Sequence, residues 1–172
     1  MLPPMSTPSV FWMLVSCLML ICFQVQGEDS ETESLSPRFS CPDGTMGQDK
    51  YCYAFFITPK SWLEASIACQ NWRPSHLASV RSKSEASFVA IVINNNPDND
   101  MDTWIGLHDP TEKGNGWQWS NKDVMSYTAW EENSCPSYEG YCGRVTKDSG
   151  FMKWKGTKCE TKLPYVCKFK SN

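Results

Sequence analysis

Only two residues in this chain could serve as an imidazole base, His76 and His108. Hydrolytic and transfer enzymes need a nucleophile beside a base that a third group holds in place. Every Ser and Cys here would have to borrow one of these two histidines, and no such arrangement can be assembled. The sequence therefore reads as a binding protein and not an enzyme, with no catalytic residue and no cofactor. The same scarcity of imidazoles argues against a transition-metal centre. His108, directly after an apolar Trp104-Ile-Gly-Leu107 stretch, reads as a hydrogen-bonded structural residue.

The sulfur chemistry is richer. Nine cysteines are present, two of which, Cys17 and Cys22, lie in the uncharged run from Val10 to Cys22. That run is short for a bilayer span and of normal length for the apolar segment of a secretory leader, and Gln24-Val25-Gln26-Gly27 supplies small residues where a signal peptidase reads. Cleavage is expected after Gly27, giving a leader over 1–27. Seven cysteines then remain, at 41, 52, 69, 135, 142, 159 and 167. In a secreted chain of this size they read as a disulfide framework with one thiol left over.

Charge is unevenly placed. Residues 28–38 carry four acids and one base, whereas residues 39–172 carry equal numbers of each sign. The mature domain is therefore not a polybasic nucleic-acid binder. The acidic stretch holds Leu35 as its one large apolar residue and cannot bury a core, so it reads as a disordered prosegment. It ends in Pro37-Arg38-Phe39, a trypsin-type site on a flexible arm. Near the other terminus Lys147, Lys153, Lys155, Lys158 and Lys162 outnumber Asp148 and Glu160. On one face they would attract anionic lipid or bacterial envelope, and losing the acidic arm would unmask them.

The elements that must position these groups are legible from period and punctuation. Cys41-Pro-Asp-Gly-Thr is a turn and Tyr51 to Ile57 a β-rich run, so Cys41 and Cys52 can staple an N-terminal hairpin. Ser61 to Asn71 places Trp62, Ala65 and Cys69 at helical spacing, and Arg73-Pro74 ends it. A second helix opens on Ser82-Lys-Ser-Glu85, a capping box, and stops at Asn94-Asn-Asn-Pro97. Strands are expected over 103–107, 116–119, 141–145, 151–154 and 164–167. Two helices followed by a run of strands is an α+β pattern.

Several of these segments carry a resemblance. Trp62-Leu-Glu-Ala-Ser-Ile-Ala-Cys69, Trp104-Ile-Gly-Leu107, Trp117-x-Trp119, Cys142, Lys153-Trp154, Cys159 and Cys167 resemble the C-type lectin-like domain over 41–169. Met1-Leu-Pro-Pro, Pro59-Lys-Ser-Trp62, Trp104-Ile-Gly-Leu-His-Asp-Pro110 and Leu163-Pro-Tyr-Val-Cys-Lys-Phe169 are similar to the regenerating islet-derived family, in its pancreatitis-associated branch. The resemblance implies an α+β C-type lectin-like domain over 39–172, with two helices flanking antiparallel sheets, a long loop and three disulfides. It implies the pairs Cys41 with Cys52, Cys69 with Cys167, and Cys142 with Cys159. Cys135 is then unpaired: a free thiol, an intermolecular bridge, or a competitor of Cys142 for Cys159.

Calcium-dependent sugar binding in lectins of this fold needs a Glu-Pro-Asn or Gln-Pro-Asp triplet, a further acid and a Trp-Asn-Asp, because Ca²⁺ takes six to eight oxygens. Here Trp154-Lys155-Gly156 stands in place of the last triplet, and no Pro lies between Glu112 and Asn133. No metal site is expected. The branch is described as binding peptidoglycan without calcium, partly through a Glu-Pro-Asn after His-Asp-Pro. This chain has the shorter Thr111-Glu-Lys-Gly-Asn-Gly-Trp117, in which Glu112 and Asn115 are the surviving polar pair. Glu131-Glu132-Asn133 is a candidate remnant ligand cluster, and Asn133-Ser134-Cys135 a rare glycosylation sequon.

The expected role is calcium-independent binding of bacterial cell-wall glycan or anionic membrane in innate defence, activated by a cut after Arg38. The alternative is a hormone-like ligand of a cell-surface receptor that promotes regeneration. The resemblance also implies self-assembly after proteolysis.

Overall fold

The computed structural model describes residues 40–132 and 140–171. Gly27, Arg38, Phe39, Asn133 and Cys135 lie outside the described residues, as do the leader and the acidic arm. Among the described residues no helix is long and apolar enough to cross a membrane.

Among the described residues the strands and α-helices in chain order are β1 (Met46–Gln48), β2 (Tyr51–Lys60), α1 (Trp62–Trp72), β3 (His76–Leu77), α2 (Lys83–Asn94), β4 (Thr103–His108), β5 (Gln118–Trp119), β6 (Cys142–Val145), β7 (Trp154–Thr157) and β8 (Leu163–Lys170). The strands form one sheet in the order β1-β2-β8-β4-β6-β7, with β3 on β8 and β5 on β4. The pairing is antiparallel except between β4 and β8, which run parallel. The sheet is therefore mixed rather than antiparallel throughout. The last strand enters the middle of the sheet, between β2 and β4, and can be antiparallel to β2 only by lying parallel to β4.

Helix α1 starts where expected. Ser61 caps it, its hydroxyl accepting from the Glu64 amide while the Glu64 carboxylate accepts from the Ser61 amide. Its indole-bearing end is tied to the sheet, since Trp62 Nε1 donates to the Ile105 carbonyl at 2.9 Å. Helix α2 departs from expectation. Ser82 accepts from the Glu85 amide, but the Glu85 carboxylate accepts from the Arg81 amide at 2.6 Å instead of closing a capping box. It is buried with charged partners inside the domain, which outweigh the return bond to the cap.

The expected strand over 151–154 is corrected. Lys147–Ser149 form a single 3-10 turn, and Gly150 and Phe151 follow with φ of 66° and 65°. Such left-handed backbone cannot continue a β ladder. The strand begins instead at Trp154 and runs to Thr157. The expected strand over 116–119 shortens to Gln118–Trp119 because Gly116 belongs to a loop held by Asp109.

Two cores flank the sheet. One gathers Val89, Val92 and Ile93 of α2 with Ile105, Leu107, Trp119 and Trp154. Its aromatic members meet edge to face: Trp119 on Trp154 at 5.3 Å, Trp117 on Trp130 at 4.8 Å and Trp130 on Trp154 at 5.8 Å. Offset and T-shaped pairs of this kind suit the ring quadrupole. The second core packs Trp62, Ala65 and Cys69 of α1 on Leu77, Trp104 and Tyr165. Gly106 of β4 lies close against the β3 backbone, and a Cβ there would lie 2.7 Å from the Leu77 carbonyl oxygen.

Among the described residues three disulfides are present: Cys41–Cys52, Cys69–Cys167 and Cys142–Cys159. The second joins α1 to β8 across 98 residues, and in the chain-entropy model such a closure is worth about 4–5 kcal/mol.

Candidate binding loop

Strand β4 ends at His108, and the backbone then makes a short loop back to β5. Asp109 is its anchor. Its Oδ1 accepts from the Thr111 amide at 2.8 Å and the Thr111 hydroxyl at 2.6 Å, and its Oδ2 accepts from the Gly116 amide at 3.2 Å. Burial alone would push this carboxyl up, but the bonds from Thr111, Gly116 and Gly114 override it and hold the pKa at about 2. The group is thus an ionised, almost wholly buried acceptor that closes both ends of the loop. Gly116 is required by this closeness, since a Cβ there would lie 2.7 Å from Asp109 Oδ1.

The loop crosses the left-handed region at Glu112, φ 53°, and at Gly114, φ 78°. Glu112 and Asn115 are both exposed. The arrangement is a rigid backbone held from beneath that presents one carboxylate and one amide outward. An acceptor-only group beside a group that both donates and accepts can bind vicinal hydroxyls.

Neighbouring strands set what lies beside the loop. His108 is in register with Cys142 of β6, and Cys142 with Thr157 of β7. The Asp109 amide donates to the Tyr141 carbonyl at 2.8 Å. The loop and Lys158, which follows Thr157, therefore emerge at the same end of the sheet, two strand spacings or about 10 Å apart. Lys158 and Lys153 are exposed. Lys147 and Lys153 flank the far end of the β6–β7 hairpin, so the lysines form a line along it and not one cluster. Lys162 leaves the line altogether, because its ammonium pairs with Glu64 on α1.

Calcium does not fit the position where lectins of this fold hold it. Trp154 is buried, and Lys155 faces Arg144 across β6 and β7. Arg144 is in turn paired with Asp102, Nε to Oδ2, at 2.9 Å. Lys155 thus stands where the last triplet of calcium-binding lectins of this fold would supply oxygen ligands. Glu131 is committed to the fold, accepting from the Thr146 hydroxyl at 2.5 Å while its amide donates to the Trp154 carbonyl. Glu132 is exposed. Among the described residues no group of three His, Cys, Asp or Glu is placed to hold a metal ion.

His108 is packed against Trp62, ring centroids 4.7 Å apart. Burial lowers its pKa, which favours the neutral ring.

A model of the lectin C-type domain matches residues 58–169. Human regenerating islet-derived protein 3-gamma is 51% identical over 99% of this chain and 99% of its own, and bovine lithostathine is 49% identical over 98% and 99%. The chain belongs to the regenerating islet-derived family of C-type lectin-like proteins. A solved structure of human lithostathine superposes with a TM-score of 0.73 at 41% identity, covering 76% of this chain and all of that one. Membership makes it a lectin-like binding protein rather than an enzyme.

Asp109 has no role that the sequence alone makes evident. The signal available was the Asp-Pro-Thr order after a strand, since Asp side chains readily close turns two residues on.

Proposed function

We propose that this chain is a secreted, calcium-independent lectin-like protein that binds bacterial cell-wall glycan through the loop following β4, in innate defence. The observation that carries the reading is the exposed Glu112 and Asn115 pair on a loop closed from below by an ionised Asp109. Lys158 at the same end of the sheet, with Lys153 and Lys155 further along the hairpin, adds attraction for anionic envelope or lipid, at about 1 kcal/mol for each lysine near a charged surface.

Secretion rests on the leader over 1–27, removed after Gly27. The four acids of 28–38 screen the lysines until trypsin cuts between Arg38 and Phe39, after which the mature domain has no net charge. The defence role rests on the resemblance to the pancreatitis-associated branch.

Retention on insoluble peptidoglycan, compared with Glu112→Gln and Asn115→Ala, tests this reading. Each substitution removes one or two hydrogen bonds to sugar hydroxyls and is expected to weaken retention about five- to fifty-fold. Unchanged retention in both would remove the loop from the account. A second reading, a hormone-like ligand of a cell-surface receptor, is favoured by the shortness of this loop. It predicts saturable binding to host cells that neither substitution alters.

A further inference from the structure

A concavity of about 490 Å³ lies where the C-terminal end of β8 meets the start of β2, the end of α1 and the 121–123 segment. That volume falls in the range of sites for small organic molecules. The groups around it divide into spent and unspent.

Lys168 is spent. Its ammonium is bonded to Glu85 and to the Ser79 hydroxyl, and it lies over the Tyr51 ring at 4.5 Å. Arg73 and Lys170 are different. The Arg73 guanidinium sits 5.5 Å from the ring centroids of both Trp72 and Phe169, and neither cation has an acidic partner among the described residues. Beside them the Ser171 hydroxyl oxygen is buried and makes no hydrogen bond. A buried, unpaired hydroxyl is costly unless something completes it. Across the cavity, all the side-chain bonds that Asp123 accepts land on Oδ2, from the Ser79 hydroxyl at 2.6 Å and Asn121 Nδ2 at 2.9 Å. Its Oδ1 remains available as an acceptor.

We infer that this cavity binds an acidic sugar, its carboxylate at Arg73, Lys170 and the Ser171 hydroxyl and a ring hydroxyl at Asp123 Oδ1. Planar bidentate recognition of a carboxylate is what a guanidinium held on two aromatic rings is arranged for. The opposing acceptor excludes a ligand that is anionic all round. The site is separate from the loop after β4 and does not depend on it.

The test is a titration of ¹⁵N-labelled mature protein at low salt with D-glucuronate, D-glucose and sodium sulfate, followed by amide shifts. Glucuronate is expected to move the amides of Arg73, Lys170 and Ser171 saturably, with glucose inert and sulfate binding at least about tenfold more weakly. Lys170→Gln, at an exposed side chain with no packing role, should weaken glucuronate about tenfold, and Arg73→Gln should do the same with the near-ultraviolet dichroism of the fold unchanged. Glu112→Gln should leave glucuronate affinity as it is. Equal shifts from glucose and glucuronate, sulfate binding as tightly as glucuronate, or full affinity in Lys170→Gln would each overturn the assignment. Loss of peptidoglycan retention in Glu112→Gln bears on the loop alone.

Discussion

Lys168 Nζ lies 2.5 Å from Oε1 of Glu85, joining residues 83 apart in sequence inside the domain. Both side chains are buried. Glu85 Oε1 also accepts from the Tyr53 hydroxyl at 2.6 Å, and Arg81 reaches Oε2 at 3.3 Å. Burial works against both charges. Lys168, Tyr53 and Arg81 overcome it for Glu85, whose pKa is lowered, while the burial of Lys168 leaves its pKa lowered too. The network fastens β2, α2 and β8 at one point.

Removing one member of that pair strands the other. Glu85→Ala and Lys168→Ala are each expected to cost about 3–5 kcal/mol, and Glu85→Leu with Lys168→Met to recover more than half of the summed cost. Urea denaturation of the four proteins measures this. Costs that simply add would show that the two charges do not depend on each other.

Acid should destabilise the domain in two stages. Asp109 falls from its ordinary 3.8 to about 2, and Glu85 is also lowered. A carboxyl with a depressed folded pKa contributes stability that is complete above its unfolded pKa and is lost as pH falls through the folded one. That loss belongs to the window from about pH 4.5 down to about 2. His108, whose pKa burial lowers from 6.5, is neutral in the fold, so its share declines earlier, as pH drops below about 6.5 and the unfolded chain takes up the proton. Unfolding free energies from pH 7 to 2 should fall in both windows, and Asp109→Asn should flatten the lower one. An unaltered slope in that variant would contradict the role given to Asp109.

What the sequence displays and what it hides divide along a physical line. Trp62, Ala65 and Cys69 announce α1 because local spacing alone decides which face is buried, and the family pattern supplies the three bridges. Glu85 reads as a capping residue by the same local logic, yet Lys168, 83 residues on, captures it. Local rules cannot see that partner. A lysine inside the otherwise apolar Tyr165-Val-Cys-Lys-Phe169 stretch was the available sign, since a strand buried on both faces must pair any charge it contains. The expected strand at 151–154 failed for a similar reason. Its apolar content was right, but Gly150 permits a left-handed turn that carries Phe151 with it. The Glu112 and Asn115 pair was legible; the Asp109 clamp that makes its loop rigid was not.

The loop depends on that clamp. Asp109→Ala leaves the Thr111 amide and hydroxyl and the Gly114 and Gly116 amides without their acceptor, and is expected to cost about 1–3 kcal/mol in stability. It should also abolish peptidoglycan retention although Glu112 and Asn115 are intact. Amide exchange at Thr111 and Gly116 would rise with it. Full retention would mean that the loop needs no preorganisation.

The bridges should differ in worth by the length of chain they close. Replacing Cys69 and Cys167 by Ala, spanning 98 residues, is expected to cost about 2 kcal/mol more than replacing Cys41 and Cys52, spanning 11. Burial of the first pair adds in the same direction. Denaturant midpoints of the two double variants settle the order, and equal midpoints would reject the loop-closure account.

Sedimentation of the protein with insoluble peptidoglycan in EDTA, before and after limited trypsin with the cut mapped to Arg38, tests whether this loop is a calcium-independent glycan site. Co-sedimentation that persists in EDTA and strengthens after the cut is the predicted result. Absence of binding in both forms, or binding that EDTA abolishes, would contradict a calcium-independent glycan site on this loop.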